Sequence, residues 1–476
     1  SILKFFIDID TLEFVEKRLE IKCRKSEKTL KNLADLCMLP KERNNNQLGF
    51  YSTFEEQLDH NHSLYKLSHA IHWKVFDDSF RKHYSPTQGK PAKPIRLMVS
   101  LLLLKQLRNL SDESVVEQWS ENSYYQYFSG EQYFSSKSPC SSTELVEFRK
   151  RIGPEGIELI FKESIRVNGN DSNDDHLSGD TTVQEKNITY PTDDKLNKKI
   201  IDKCRSIAKN EDVELRQSYT RTVDKLKIIQ RLRKNKGGDK KARKATRRIK
   251  TIAGRLVREL ERKLPSNRLA HYSTELNLFK KILSQKKSDS NKTYSIHEPQ
   301  VKCYTKGKEH KRFEFGSKVS ILVTQKTGVI VGALNFNSTE HDSKTLPLAI
   351  EQHKRLTGIT AKQIFLDRGY RGPKKIEDTL IQVPVTDKNI TRSKRKRHRR
   401  RAAIEPVIGH LKQSYGLGRN FLKGVNGDQI NVLLAAAAMN FKRLMNLWKQ
   451  GLINLIHQII YFVEELFIEK FLKTTF

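Results

Sequence analysis

Two short runs of small and apolar residues, Leu177-Ser178-Gly179 and Ile364-Phe365-Leu366, each end on an aspartate, Asp180 and Asp367, with 187 positions between them. Such runs read as buried strands. The chain between them, from Lys195 to about Lys287, is charged and helical in pattern, broken by Gly237-Gly238 and by Pro265-Ser266-Asn267. These breaks suggest a hairpin of helices. Strand-like sequence resumes from Phe313 to Phe336, where Gln325-Lys326-Thr327-Gly328 is a hairpin signal between Lys318–Thr324 and Val329–Leu334. A helical pattern from Ser343 to Leu356, the strand ending at Asp367 and a strand near Ile381 to Val385 follow. The order is that of an α/β core with a helical insertion.

A third acid, Glu405, opens an apolar stretch that reads as a helix. Pro406 is tolerated in a first turn, which predicts a helix start near Ala402 or Ala403. Taken alone, Glu405 reads as a structural acid favoured by the helix macrodipole. Together with Asp180 and Asp367 it makes a set of carboxylates suited to hard divalent cations such as Mg²⁺. Two ions roughly 3.5 to 4 Å apart can polarise an attacking oxygen on one side of a phosphodiester and steady the leaving oxygen on the other. Asp180, Asp367 and Glu405 are therefore the candidate metal-binding and catalytic residues.

Charge points to the same substrate class. A net charge of +34 and a pI of about 9.8 exceed what solubility requires, and nucleic acid is the default polyanionic partner. Basic residues cluster from Arg231 to Lys250 and from Arg392 to Arg401, and the second run leads directly into Glu405. Charge runs are also commonly solvated helix faces.

Arg401 lies four residues before Glu405 and Lys412 seven after it. This resembles the Tyr-x2-Arg-x3-Glu-x6-Lys signature of DDE transposases from bacterial insertion sequences, with His398 standing at the Tyr position. GDTTVQEKNITYPTDDKL (residues 179–196) and IFLDRGYRG (364–372) resemble the two aspartate blocks of the IS-five type. SDESVVEQWSENSYYQYFSG (111–130), EFGSKVS (314–320) and HDSKTL (341–346) add to the resemblance, which spans most of residues 46 to 445. The 38 positions between Asp367 and Glu405 leave no room for a large insertion there, as in the compact IS-five pattern.

The resemblance implies a ribonuclease H-like catalytic core with a helical insertion, preceded by an all-α N-terminal domain. It implies strand cleavage at the element ends, then strand transfer, with two Mg²⁺ ions, for which Mn²⁺ can substitute, held by Asp180, Asp367 and Glu405. Arg401 and Lys412 are the expected phosphate contacts. Arg368, Tyr370 and Arg371, in the glycine-punctuated turn after Asp367, are candidates for contact with the DNA backbone or a splayed base. Partners would be double-stranded DNA of the element ends and target, and further copies of the chain assembled on DNA. Two other readings stand beside this one: a catalytically silent DNA-binding regulator derived from a transposase, and a metal-dependent endonuclease.

The expected organisation is an N-terminal extension (1–45), a helical DNA-binding or subunit-contact domain (46–168), a catalytic domain (169–445) with an insertion at about 195–290, and a C-terminal amphipathic tail (446–476). Five cysteines without CxxC spacing suggest neither a disulfide framework nor a zinc site. Apolar runs are too short for a spanning helix, and a cytoplasmic, nucleoid-associated location with no membrane partner is expected. His297, His310, His341 and Asp342 match no tight zinc spacing. HDSKTL reads instead as a helix entrance capped by Asp342 or Ser343.

Overall fold

Seven helices precede the first strand among the residues described by the computed structural model, which are 52–84, 91–286, 288–305, 312–339, 341–370, 372–384 and 391–475, the last 24 as backbone only. The expected extension 1–45, His310 and Arg371 lie outside the described residues. The helices are α1 (Phe54–Gln57), α2 (Ser63–Ala70), α3 (Trp73–Phe80), α4 (Ile95–Leu107), α5 (Asp112–Glu121), α6 (Ser123–Phe128) and α7 (Ser142–Arg166).

Their ends follow local chemistry. Ser111 accepts from Ser114 N to cap α5, and Ser141 with Glu144 forms a capping box on α7. In α4, Leu97 to Leu104 are all buried, so this helix is apolar on every side and runs through the core. Gly153, at φ +60°, and Pro154 kink α7. Just before the kink, Arg149 is buried and forks onto both carboxylate oxygens of Asp112, each at 2.9 Å, while Lys105 reaches the same carboxylate at 2.7 Å. Arg149 in the basic RKRIG segment thus anchors α7 to α4 and α5.

The sheet is mixed and has seven strands: β1 (His176–Glu185), β2 (Lys302–Thr305), β3 (Phe313–Thr324), β4 (Ile330–Phe336), β5 (Gln363–Phe365), β6 (Lys375–Ile376) and β7 (Thr379–Gln382). Central β1 pairs antiparallel with β3 and parallel with β5. β5 pairs parallel with β7, which pairs antiparallel with β6. β2 and β4 occupy successive stretches of the other edge of β3. The β3–β4 hairpin turns at Gly328, φ +74°, as the sequence predicts.

Between β1 and β2 run α8 (Asp193–Asn210), α9 (Thr220–Arg231), α10 (Gly238–Lys263) and α11 (Ser266–Ser284). Leu196, Ile200, Ile252, Leu256, Leu260 and Phe279 belong to their own apolar core, separate from the main one. Gly237 precedes α10 at φ +71° and Pro265 precedes α11, so both predicted breaks are helix boundaries. The main core joins the N-terminal helices to the sheet and to the final helix: Leu101, Phe161, Leu177, Ile321, Ile364 and Leu433 are members of one buried cluster.

Helix α12 (Asp342–Thr357) lies between β4 and β5, and β7 is followed by α13 (Arg392–Arg400), a 3-10 turn (Arg401–Ala403), α14 (Ile404–Ser414) and α15 (Gly424–Thr475). None of the described helices is long and apolar enough to cross a membrane. The expected α/β chain with a helical N-terminal region is what the structure has.

Two stability measurements follow. Asp112→Ala leaves Arg149 and Lys105 without their shared counter-charge, and urea denaturation should show a loss of about 3 kcal/mol; a loss below about 1 kcal/mol would contradict the anchoring role. His353 on α12 is fully buried, and burial lowers its pKa to about 4. The folded state keeps this ring neutral while the unfolded chain takes a proton below about 6.5. Its contribution is therefore complete above about pH 6.5 and is lost as pH falls towards 4, by up to ~3 kcal/mol. Urea melts at pH 7.5 and pH 5 should show a smaller pH dependence for His353→Leu than for wild type; equal slopes would refute the buried neutral ring.

Candidate active site

The parallel register of β1 and β5 pairs Leu177 with Ile364 and Ser178 with Phe365. Two residues further along stand Asp180, still within β1, and Asp367, just past the end of β5, so the register carries both to the same level of the sheet. They line one cleft with Gly179, Thr181, Asp342 and Tyr370. Gly179 is required there, because a Cβ would come within 2.8 Å of the Leu366 side chain and 3.0 Å of that of Leu322. Asp180 Oδ1 accepts from Thr181 N at 2.7 Å, and Oδ2 accepts from Arg401 Nη2 at 3.0 Å. Asp367 is exposed where β5 has ended, and its Oδ1 accepts from Gly369 N at 3.1 Å.

Glu405 reaches this centre through Arg401, whose Nη1 is 3.5 Å from Glu405 Oε1. One guanidinium therefore touches two of the three acids expected from the sequence, which puts the Asp180 and Glu405 carboxylates within about 9 Å of each other. The helical path that allows this is continuous in conformation. Arg400, Arg401, Ala403 and Ile404 all have right-handed helical angles, so α13, the 3-10 turn and α14 form one run, and Pro406 sits harmlessly in the first turn of α14. The sequence places Arg401 upstream of the helix; instead it lies inside the run, one turn before Glu405. Arg400 latches the run to the sheet by donating to the carbonyls of Gln325 and Lys326, and Gln325 Nε2 donates to Ser178 Oγ.

From sequence, Asp342 reads only as part of a helix entrance. His341, not Asp342 or Ser343, is the N-cap of α12, accepting from Ser343 N. Asp342 instead turns into the cleft, where its Oδ1 accepts from Thr181 Oγ1 at 3.0 Å and from Lys318 Nζ at 2.9 Å. The available signal was HDSKTL itself, in which an acid follows a capping residue after a strand.

The other expected contacts fall as follows. Arg368 is exposed in the turn after Asp367. Tyr370 is buried at 7% exposure, lining the cleft, and its hydroxyl donates to Pro373 O at 3.4 Å. Lys412 sits on α14 with Nζ 4.0 Å from Glu314 Oε1. His398 packs edge-on against Phe365 with ring centroids 5.1 Å apart, and burial lowers its pKa, with Lys394 adding to the effect. Residues 392–396 of α13 are exposed, as are Lys241, Arg243, Lys244, Arg247, Arg248 and Lys250 of α10.

The donor set fits a hard divalent cation. Asp180, Asp367 and Glu405 offer carboxylate oxygens of the kind such an ion takes, with Arg401 bridging Asp180 and Glu405. Among the described residues, the carboxylates that already stand at joint ligand distance belong to a different group, Asp174, Asp175 and His176 at the start of β1. Those are engaged internally: Asp174 accepts from His176 N and Lys326 N, and Asp175 pairs with Lys362 and His176, Lys362 being the main cause that holds its pKa at about 2.

Two family models match the chain. A transposase domain, DUF772, covers residues 52–151, and the transposase DDE domain covers residues 287–441, which include Asp342, Asp367 and Glu405. Asp180 lies in the stretch between the two matched ranges. A Rhizobium meliloti protein, the uncharacterized protein ORF8 in the nfe locus, is 39% identical over 171 residues, 35% of this chain and 82% of that protein. No solved structure matches. With Asp180 inside β1, Asp367 just past the neighbouring β5, and both domain models in order, the chain belongs to the DDE-type transposases.

Proposed function

We propose that this protein is an active transposase of the IS-five type, which cleaves DNA at the ends of an insertion sequence and joins the freed ends to target DNA. The observation that carries this reading is the convergence of Asp180, Asp367 and, through Arg401, Glu405 on one rim of the sheet. Antiparallel β4-β3-β1 continued by parallel β5 and β7 supports a ribonuclease H-like core.

DDE transposases typically use divalent metal ions. Here two Mg²⁺ ions, or Mn²⁺ in their place, would be held by Asp180, Asp367 and Glu405 and would supply Lewis-acid activation of the attacking and leaving oxygens. The reaction sequence is hydrolysis of a phosphodiester at the element end, followed by attack of the freed 3'-hydroxyl on a target phosphodiester. Arg401 holds the Asp180 and Glu405 carboxylates in place and offers its remaining surface to a phosphate. Lys412, two turns along α14, extends the positive edge. Asp342, tied to Thr181 and Lys318, fixes the orientation of the β1 rim beside Asp180.

The exposed basic faces of α13 and α10, with the chain's +34 charge, support a duplex lying across this rim. Arg368, exposed in the turn after Asp367, would meet its backbone, whereas the buried Tyr370 supports that turn. The helical residues before β1 serve as a DNA-binding or subunit-contact region, and the active form is a homo-oligomer that holds two element ends together.

Strand cleavage of duplex DNA carrying the element ends, with Mg²⁺, tests this reading. Wild type should nick at the end, while Asp180→Ala, Asp367→Ala and Glu405→Ala should bind the duplex and leave it intact. Cleavage retained by one variant removes that residue from the site. An inert wild type that still binds would favour the silent regulator, and cleavage indifferent to end sequence would favour an endonuclease.

A further inference from the structure

We infer that a second cavity, at the far end of β1 from its start, is a binding site for an unpaired nucleotide, with the base among aromatic rings and the phosphate between two arginines. This inference rests on DNA being the substrate. The cavity is about 600 Å³ and is lined by Glu185, Lys186, Tyr190, Arg312, Phe313, Phe315 and Arg419, among others. That volume exceeds what an ordered water or a single ion needs and falls in the range of small-ligand sites.

Its chemistry is divided in the way a nucleotide is. Tyr190 is 56% exposed and stands edge-on to Phe315 at 5.3 Å, while Tyr294 backs Phe315 from another side at 5.2 Å. The guanidinium of Arg312 lies 5.5 Å from the Phe313 ring centre, and that of Arg419 is oriented by donating from Nε to Asn187 Oδ1 at 2.9 Å. Aromatic faces that accept any base and guanidinium groups that accept phosphate are the two parts of sequence-tolerant single-strand recognition.

The walls are preformed. Lys186 N donates to Phe315 O at 2.9 Å, Asn187 N to Asn420 O at 2.9 Å and Asn420 N to Glu185 O at 2.7 Å, which ties three chain segments together around the cavity. Behind them the Lys186 amine is buried against Asp428 and Glu298, so it supports the wall and leaves anion binding to the arginines. Glycine is required at two places. A Cβ on Gly316 would collide with Gln184 O at 1.8 Å, and one on Gly418 would meet Lys412 O at 2.6 Å. Gly418 also connects the cavity to the helix that bears Glu405 and Lys412. Along β1, Glu185 is five residues from Asp180, roughly 16 Å, or about five base-pair steps of a duplex.

The test compares binding of a blunt 20-base-pair duplex with the same duplex carrying a three-nucleotide single-stranded overhang, by fluorescence anisotropy, using full-length protein. Wild type should prefer the overhang by at least about fivefold. Tyr190→Ala, Arg312→Ala and Arg419→Ala should lose most of that preference while binding the blunt duplex as wild type does. Free dAMP is the second arm. If dAMP binds wild type saturably but not the variants and no overhang preference exists, the site is a nucleotide site whose source is free nucleotide. Equal preference in wild type and all three variants, or no preference with no dAMP binding, overturns the inference while the transposase reading stands on blunt-duplex binding. Absence of binding to either duplex removes both.

Discussion

The pairing register of β1 with β5 is the constraint on which the rest of the site depends. A parallel ladder between Leu177-Ser178 and Ile364-Phe365 is what brings together two aspartates separated by 187 positions. A slip of one residue would turn every side chain of β5 to the opposite face. Burial defends the register: Leu177, Ile364 and Phe365 are fully buried, and Gly179 accepts the Leu366 and Leu322 side chains where any larger residue would collide. The insertion helices can be long because they carry an apolar core of their own, so their packing asks little of the sheet.

Electrostatics completes what the register begins. Arg401 is largely buried, and its guanidinium joins Asp180 on the sheet to Glu405 on the helix. Lys318 and Thr181 treat Asp342 in the same way. These contacts hold mutually repelling carboxylates close together. Arg400 adds a mechanical tie from the same helical run to the β3–β4 turn, so the run that bears Glu405 is fixed to the strand pair that bears Asp180. Basic side chains on α13 and α10 are exposed to solvent.

Much of this is legible in the chain itself, for physical reasons that differ by segment. Gln325 to Gly328 is legible as a turn because glycine supplies the positive φ that closes it, and Gly237 and Pro265 mark helix ends for similarly local causes. Asp180 and Asp367 are legible because each ends an apolar run. Asp342 was not, since the same sequence that opens a helix also aims an acid sideways, and only the neighbouring strand decides which use prevails. Around Arg401 the chain departs from the sequence expectation, because the backbone before Pro406 keeps helical angles instead of breaking there. The cavity around Tyr190 and Arg419 could not be read at all, because its lining comes from three segments with no shared motif.

Asp180 on β1, Asp367 just past β5 and Glu405 on α14 are expected to form one cation site. Crystals of the protein with end-containing DNA, soaked in Mn²⁺ and measured for anomalous scattering, test it most directly. The expected result is a peak ligated by Asp180 and Asp367 at about 2.1 to 2.2 Å, with Glu405 drawn into the same centre. Ions found only at Asp174, Asp175 and His176, or none near Asp180, would contradict it.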